Sequence, residues 1–222
     1  VGDGEPWPDI TVVRNVLDQR EVDHRQVRAD DVAGAIVAES QLGYGVVVVG
    51  VAARHEGQLY SPMVDRLLLE SPIPLMIVRR ARGLDRPLPA AFSRALVPVT
   101  GTRSSRLAQE VAFSISEQLG TEIVLTHVLD RGGPDLARIF ARRRASDDPA
   151  LVVADQLMGQ ARELAREMGI EPRTLLPESD HPGDALVETA MEQEADRVVL
   201  GAQLRTVDGR PCIGRTAETG RA

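Results

Sequence analysis

Two stretches of the chain can be laid over one another without a gap: DDVAGAIVAESQLGYGVVVVG, residues 30–50, and HPGDALVETAMEQEADRVVLG, residues 181–201. In each, a helical run leads into a valine-rich run that closes on glycine. Parallel strands cannot be joined by a tight turn, so a helix feeding a short apolar strand is the unit from which parallel sheets are built. The repetition therefore predicts an α/β chain with a mainly parallel open sheet, flanking helices and two repeats. A contiguous apolar run such as YGVVVVG, residues 44–50, is expected to be a strand buried on both faces.

The order of elements extends this reading. Asp9 can cap a short helix in which Ile10, Val13 and Leu17 share a face, and EVDHRQVRA, residues 21–29, alternates like a strand. A helix is expected from Asp31 to Leu42, ended by Gly43, then the valine strand, a helix from Met63 to Glu70 and a strand over Leu75 to Val78. Residues 1–82 form an incomplete first repeat and residues 83–92, rich in turn residues, a linker. Residues 93–222 form a second repeat that lacks its last strand. It opens with the strand RALVPVT, the turn GTRSS and a helix from Ser105 to Leu119 closed by Gly120. The strand TEIVLTHVLD follows, then a helix capped by Asp148, started by Pro149 and run to Gly169. EPRTLLPES is read as a strand, Asp184 to Gln193 as a helix and DRVVLG as a strand. The first copy lacks the opening elements that the second retains, and the second stops before a strand like PLMIV.

Composition narrows the classes of function. With 222 residues, 43% of them hydrophobic, the chain can bury a core. Its apolar runs fall far short of the roughly 20 residues needed to cross a bilayer. No basic segment leads into an apolar stretch at the amino end, and Cys212 alone cannot form an internal disulfide, so a reducing, cytoplasmic setting is expected. The net charge of −7 opposes nucleic-acid binding, which needs a basic surface to neutralise phosphates. The basic run Arg142 to Arg144 is followed at once by Asp147 and Asp148 and reads as a solvated loop.

No catalytic constellation is visible. His24, His55, His127 and His181 lack metal-ligand spacing, and His127 reads as a satisfied core or strand-end histidine. Asp180 and Asp184 around His181-Pro182-Gly183 read as turn and helix-capping residues, and Ser104 and Ser105 as caps of a helix. The G-x-S-x-G nucleophile elbow is absent and Cys212 has no adjacent histidine. Glycines at the carboxyl ends of parallel strands are the places where backbone can approach a phosphate, which directs attention to Gly50, Gly101, Gly201 and Gly214. A glycine there also turns the chain out of a strand without steric cost, the reading preferred for Gly50.

RALVPVTGTRSSRLAQEVAFSISEQLGTEIVLTHVLD, with HPGDALVETA and RVVLGAQLRTVDGRPCIGRT following in order, resembles the universal stress protein domain. Residues 21–80 resemble the second half of the same domain. The resemblance implies a Rossmann-type sheet. It also implies a site for ATP built from a loop G-x-x-G-x9-G-[ST] and an aspartate closing the first strand. Here Gly201 and Gly214 keep the spacing, Leu204 stands at the second glycine, Arg215 at the hydroxyl position with Thr216 one place later, and Thr100 at the aspartate. Thr100, Gly101, Gly201, Gly214 and Thr216 are thus the candidate residues of a degenerate nucleotide site, with ATP binding weak or lost. The run EGQLYSPMVDRLLLESPIPLMIVRR, residues 56–80, is similar to the cytosolic C-terminal region of bacterial monovalent cation/proton (Na+/H+) antiporters. On that resemblance the chain is a non-catalytic regulatory module at the cytosolic face of the inner membrane, its partner the membrane transporter region of the same polypeptide. The alternative is a free-standing ATP-binding stress protein; a flavoprotein-like relative is not singled out by the motifs. The complementary missing strands predict a pseudo-dimer of repeats or a homodimer.

Overall fold

The computed structural model describes residues 27–51, 60–79, 92–129, 149–207 and 210–213. The helix expected after Asp9, most of the EVDHRQVRA strand, all but Phe92 of the linker, and the Asp148 cap lie outside them. The chain is an α/β fold of parallel sheets flanked by helices.

Its amino-terminal part holds helix α1 (Val32–Ser40), strand β1 (Val47–Val51), helix α2 (Pro62–Glu70) and strand β2 (Leu75–Arg79). The Asp31 carboxylate caps α1 by accepting from the Gly34 amide at 3.1 Å. Ser61 caps α2 through the Val64 amide at 3.2 Å, with Pro62 in the first turn where its missing N–H costs nothing. With α2 as crossover, β1 and β2 pair in parallel, Val47 opposite Leu75 and Val51 opposite Arg79.

The second part carries strand β3 (Arg94–Pro98), helix α3 (Arg103–Leu119), strand β4 (Glu122–Thr126), helix α4 (Pro149–Glu167), strand β5 (Arg173–Leu175), helix α5 (Pro182–Glu192) and strand β6 (Arg197–Val198). These four strands form one parallel sheet in the order β5-β4-β3-β6. Side chains along β3 and β4 alternate between two cores. Val97 and Leu125 meet Phe113 of α3 and Met158 of α4, whereas Leu96 and Val124 meet Leu186 and Ala190 of α5. The sheet is thus the middle of three layers, and its central strands β3 and β4 are buried on both faces. At its amino edge Glu122 accepts from Arg94 at 2.7 Å, and Asp196 accepts from the Ser93 amide at 2.9 Å. This ties β3 to β4 and β6.

Four expectations need correction. The valine strand is not buried on both faces: Val48 is 57% exposed, and Val78, opposite Gly50 on β2, is 48% exposed. Only a strand inside a wide, doubly covered sheet buries both faces, and β1 has one neighbour among the described residues. Gly50 does not end that strand either, since pairing continues to Val51. EPRTLLPES contributes a three-residue strand and one further bridge, Glu178 to Leu129. Finally, the segment after β6 is an antiparallel hairpin of strands β7 (Leu204–Val207) and β8 (Arg210–Ile213). The hairpin reaches across the chain, and β8 packs against α2.

Candidate functional site

The carboxyl ends of β3, β4 and β6 converge where α3 begins. The chain leaves β3 through Val99 and Thr100, turns at Gly101 and enters α3 with Thr102 as N-cap, its hydroxyl accepting from the Ser105 amide at 3.2 Å. Ser104 and Ser105 were expected in that role. Ser105 does something else: it is buried, accepts from the Thr100 amide at 2.9 Å and from Gln109 Nε2 at 3.2 Å, and donates to the Pro98 carbonyl at 3.2 Å. A single hydroxyl therefore binds the strand end to the first turns of the helix. Of the helix's unpaired first-turn donors, Ser105 is capped, while helix geometry gives Arg103 and Ser104 no intrahelical acceptor.

Thr100 occupies the outer lip of this turn. Its hydroxyl lies 3.0 Å from that of Thr102, which lies 3.3 Å from that of Ser104, so three neutral hydroxyls run in a row across the helix start. Among these residues none carries a carboxylate, and the only formal charge is that of Arg103. The β4 end is fixed by His127, whose Nδ1 is 2.8 Å from the Val99 carbonyl. A carbonyl only accepts, so Nδ1 carries the proton. His127 is the satisfied strand-end histidine that its apolar neighbourhood predicts.

Gly201 closes the site from β6. A Cβ built there would collide with the Ser104 carbonyl and come within 2.6 Å of the Ser105 amide nitrogen. The glycine is required because two backbones touch, a reason that spacing alone does not reveal. Gly101 differs: the nearest atom to a Cβ is Leu157 Cδ2 at 3.4 Å, so a side chain fits. Of the five candidates, the structure brings Thr100, Gly101 and Gly201 together, and Gly214 and Thr216 lie outside the described residues. Asp180 is no cap; α5 starts after His181, which makes no side-chain capping bond. Among the described residues no group of His, Cys, Asp and Glu is arranged to hold a metal ion, and no helix is long and apolar enough to cross a membrane.

A buried group that sequence reading passed over is Thr126, fully enclosed at the end of β4 with no partner for its hydroxyl. Alternation along the strand would have flagged a polar residue at a core position.

The family model described as universal stress protein family matches residues 91–219. No curated protein sequence matches the chain. Among solved structures, a putative universal stress protein from Pseudomonas aeruginosa shares 21% identity over 97% of this chain and 75% of its own, with a TM-score of 0.56. A universal stress protein from Archaeoglobus fulgidus shares 18% identity over 84% of this chain and 60% of its own, with a TM-score of 0.51. UspA from Lactobacillus plantarum shares 18% identity over 60% of this chain and 93% of its own, with a TM-score of 0.49.

Proposed function

This chain belongs to the universal stress protein family, and from that premise we propose that it is a non-catalytic regulatory module whose nucleotide site is degenerate. The observation that carries the proposal is the β3–α3 turn. Its geometry suits a phosphate: a helix start whose first two amides have no intrahelical acceptor, a row of hydroxyls and a glycine at backbone contact. Its chemistry is depleted, because Thr100 puts a neutral hydroxyl where the resemblance calls for a carboxylate, and Leu204 puts a side chain where it calls for glycine. A neutral hydroxyl accepts hydrogen bonds from a sugar less strongly than a carboxylate does.

The test is calorimetric titration with ATP and Mg2+. Binding is expected to be weaker than a dissociation constant of about 1 μM, or about −8 kcal/mol, and Gly214→Asp removes what remains while Gly57→Asp does not. Tight binding would overturn the reading of degeneracy and favour the free-standing ATP-binding protein.

The context we propose is the cytosolic tail of a Na+/H+ antiporter-like transporter, on the resemblance of residues 56–80. A free-standing stress protein accounts equally well for the family match. The reading frame upstream of Val1 separates the two: a series of apolar spans supports the tail, and an adjacent start codon removes it.

A further inference from the structure

We propose that the β7–β8 hairpin is an arm held by α2, and that through it the amino-terminal part of the chain orders the segment leaving β6. An isolated two-stranded hairpin is marginal in water and needs a third strand or a helix to pack on. Here β7 and β8 pair only with each other among the described residues, and the helix is α2. Ile213, the last residue of β8, is 9% exposed, which a free hairpin would not achieve.

The helix is a firm support. Val64 and Leu67 are 1% and 0% exposed although α2 is only nine residues long. Arg66 ties it to the cap of α1, donating to Asp31 at 2.6 Å, and within α2 to Glu70 at 3.0 Å. The chain connection from this support to the candidate site is short. Ile213 pairs with Leu204 at the root of the hairpin, and Leu204 follows Gly201 by three residues. Gly201 in turn abuts the Ser104–Ser105 peptide at the start of α3. Docking of the arm on α2 therefore holds the segment that the resemblance assigns to phosphate at Ile213, while the contact with α3 holds it at Gly201. The significance for nucleotide rests on the proposed function; the docking itself does not.

Amide hydrogen exchange on the full chain, without nucleotide, tests the arm. Ile213→Ala is expected to speed exchange about tenfold in residues 62–70 and in residues 201–207, with β3 and β4 unchanged as the folding control. Leu67→Ala is expected to speed exchange in residues 201–213 from the other side. Unchanged exchange in residues 62–70 for Ile213→Ala, or in residues 201–213 for Leu67→Ala, overturns the proposal. Should either variant also lose protection in β3 and β4, Ile213→Val is compared in its place, and exchange in residues 62–70 equal to that of the unaltered chain counts against the arm. ATP titration of the unaltered chain reports on the nucleotide reading separately, since its failure leaves the exchange result standing.

Discussion

Gly50 and Gly201 occupy equivalent places in the two copies of the repeated stretch, yet their surroundings assign opposite signs to the same substitution. At Gly201 an added methyl must displace the backbone of Ser104 and Ser105, which cannot rotate aside. Gly201→Ala is expected to destabilise by about 3 kcal/mol, the upper part of the range for overpacking. At Gly50 nothing lies within 4 Å of a Cβ, and the residue sits inside an extended strand. Gly50→Ala is expected to be neutral or to stabilise by about 0.5 kcal/mol, because glycine loses more freedom than alanine in a strand. Urea denaturation of both variants checks the pair; equal losses would show that the repeat, and not the local packing, sets the requirement. Thr126 gives a second test at this scale. Its hydroxyl is enclosed and unpartnered, so Thr126→Val keeps the shape and removes a desolvated polar atom. A gain of about 1 kcal/mol is expected. A loss of that size would mean that the hydroxyl has a hydrogen-bond partner in solution.

Among the elements, α2 and α3 fall where periodicity, a local property, places them: α3 ends at Leu119 before Gly120 in the left-handed conformation, and α2 ends at Glu70. Helix α1, expected to run to Leu42, stops at Ser40, and the DRVVLG strand pairs only over Arg197–Val198. Burial of β1 was not legible, since it depends on how many strands lie beside it. The N-cap of α3 was misplaced because Thr102, Ser104 and Ser105 are all good caps and only geometry selects among them. The hairpin occupies residues whose glycine spacing points to a loop, although Asp208-Gly209 between two four-residue runs is a strong hairpin signal. Of the site, Thr100 was legible as a strand end, but the backbone contact at Gly201 and the anchoring by Ser105 are tertiary facts. Element ends also carry the pH dependence. The Arg94 guanidinium beside Glu122 holds its carboxyl below the ordinary range, with Arg173 adding to the effect. A depressed carboxylate contributes stability above its unfolded pKa of about 4.3, and that contribution disappears as pH falls through the folded value. Glu122→Gln is expected to lower the melting temperature at pH 7 by about 2 °C, a small effect because the pair is partly exposed. The gap should narrow as the pH falls through the lowered folded value. A gap that stays constant with pH would show that the amide disturbs packing and that ionisation is not the cause.

For the whole molecule, the question is whether residues 1–85 and 86–222 can stand apart. The four-stranded sheet has its own two cores and its own clamp at the amino edge, so the interior of the second part does not need the first. The margin does. Without α2, β8 loses the helix it packs on, and exposing a large aliphatic side chain such as Ile213 would cost about 1.5–3 kcal/mol. In the other direction, β1 and β2 form a sheet of two strands among the described residues, below the size that is stable alone, and Val48 and Val78 already lie exposed on it. Separation should therefore be asymmetric. Residues 86–222 alone are expected to fold and to melt about 5 °C lower than the whole chain, with light scattering showing some association through the uncovered hairpin. Residues 1–85 alone are expected to remain unfolded or to aggregate. Circular dichroism and static light scattering on the three proteins decide the matter. A monomeric 86–222 fragment that melts with the whole chain would show that the contact between α2 and β8 contributes nothing to stability. A cooperatively folded 1–85 fragment would show that its small sheet finds support within its own residues.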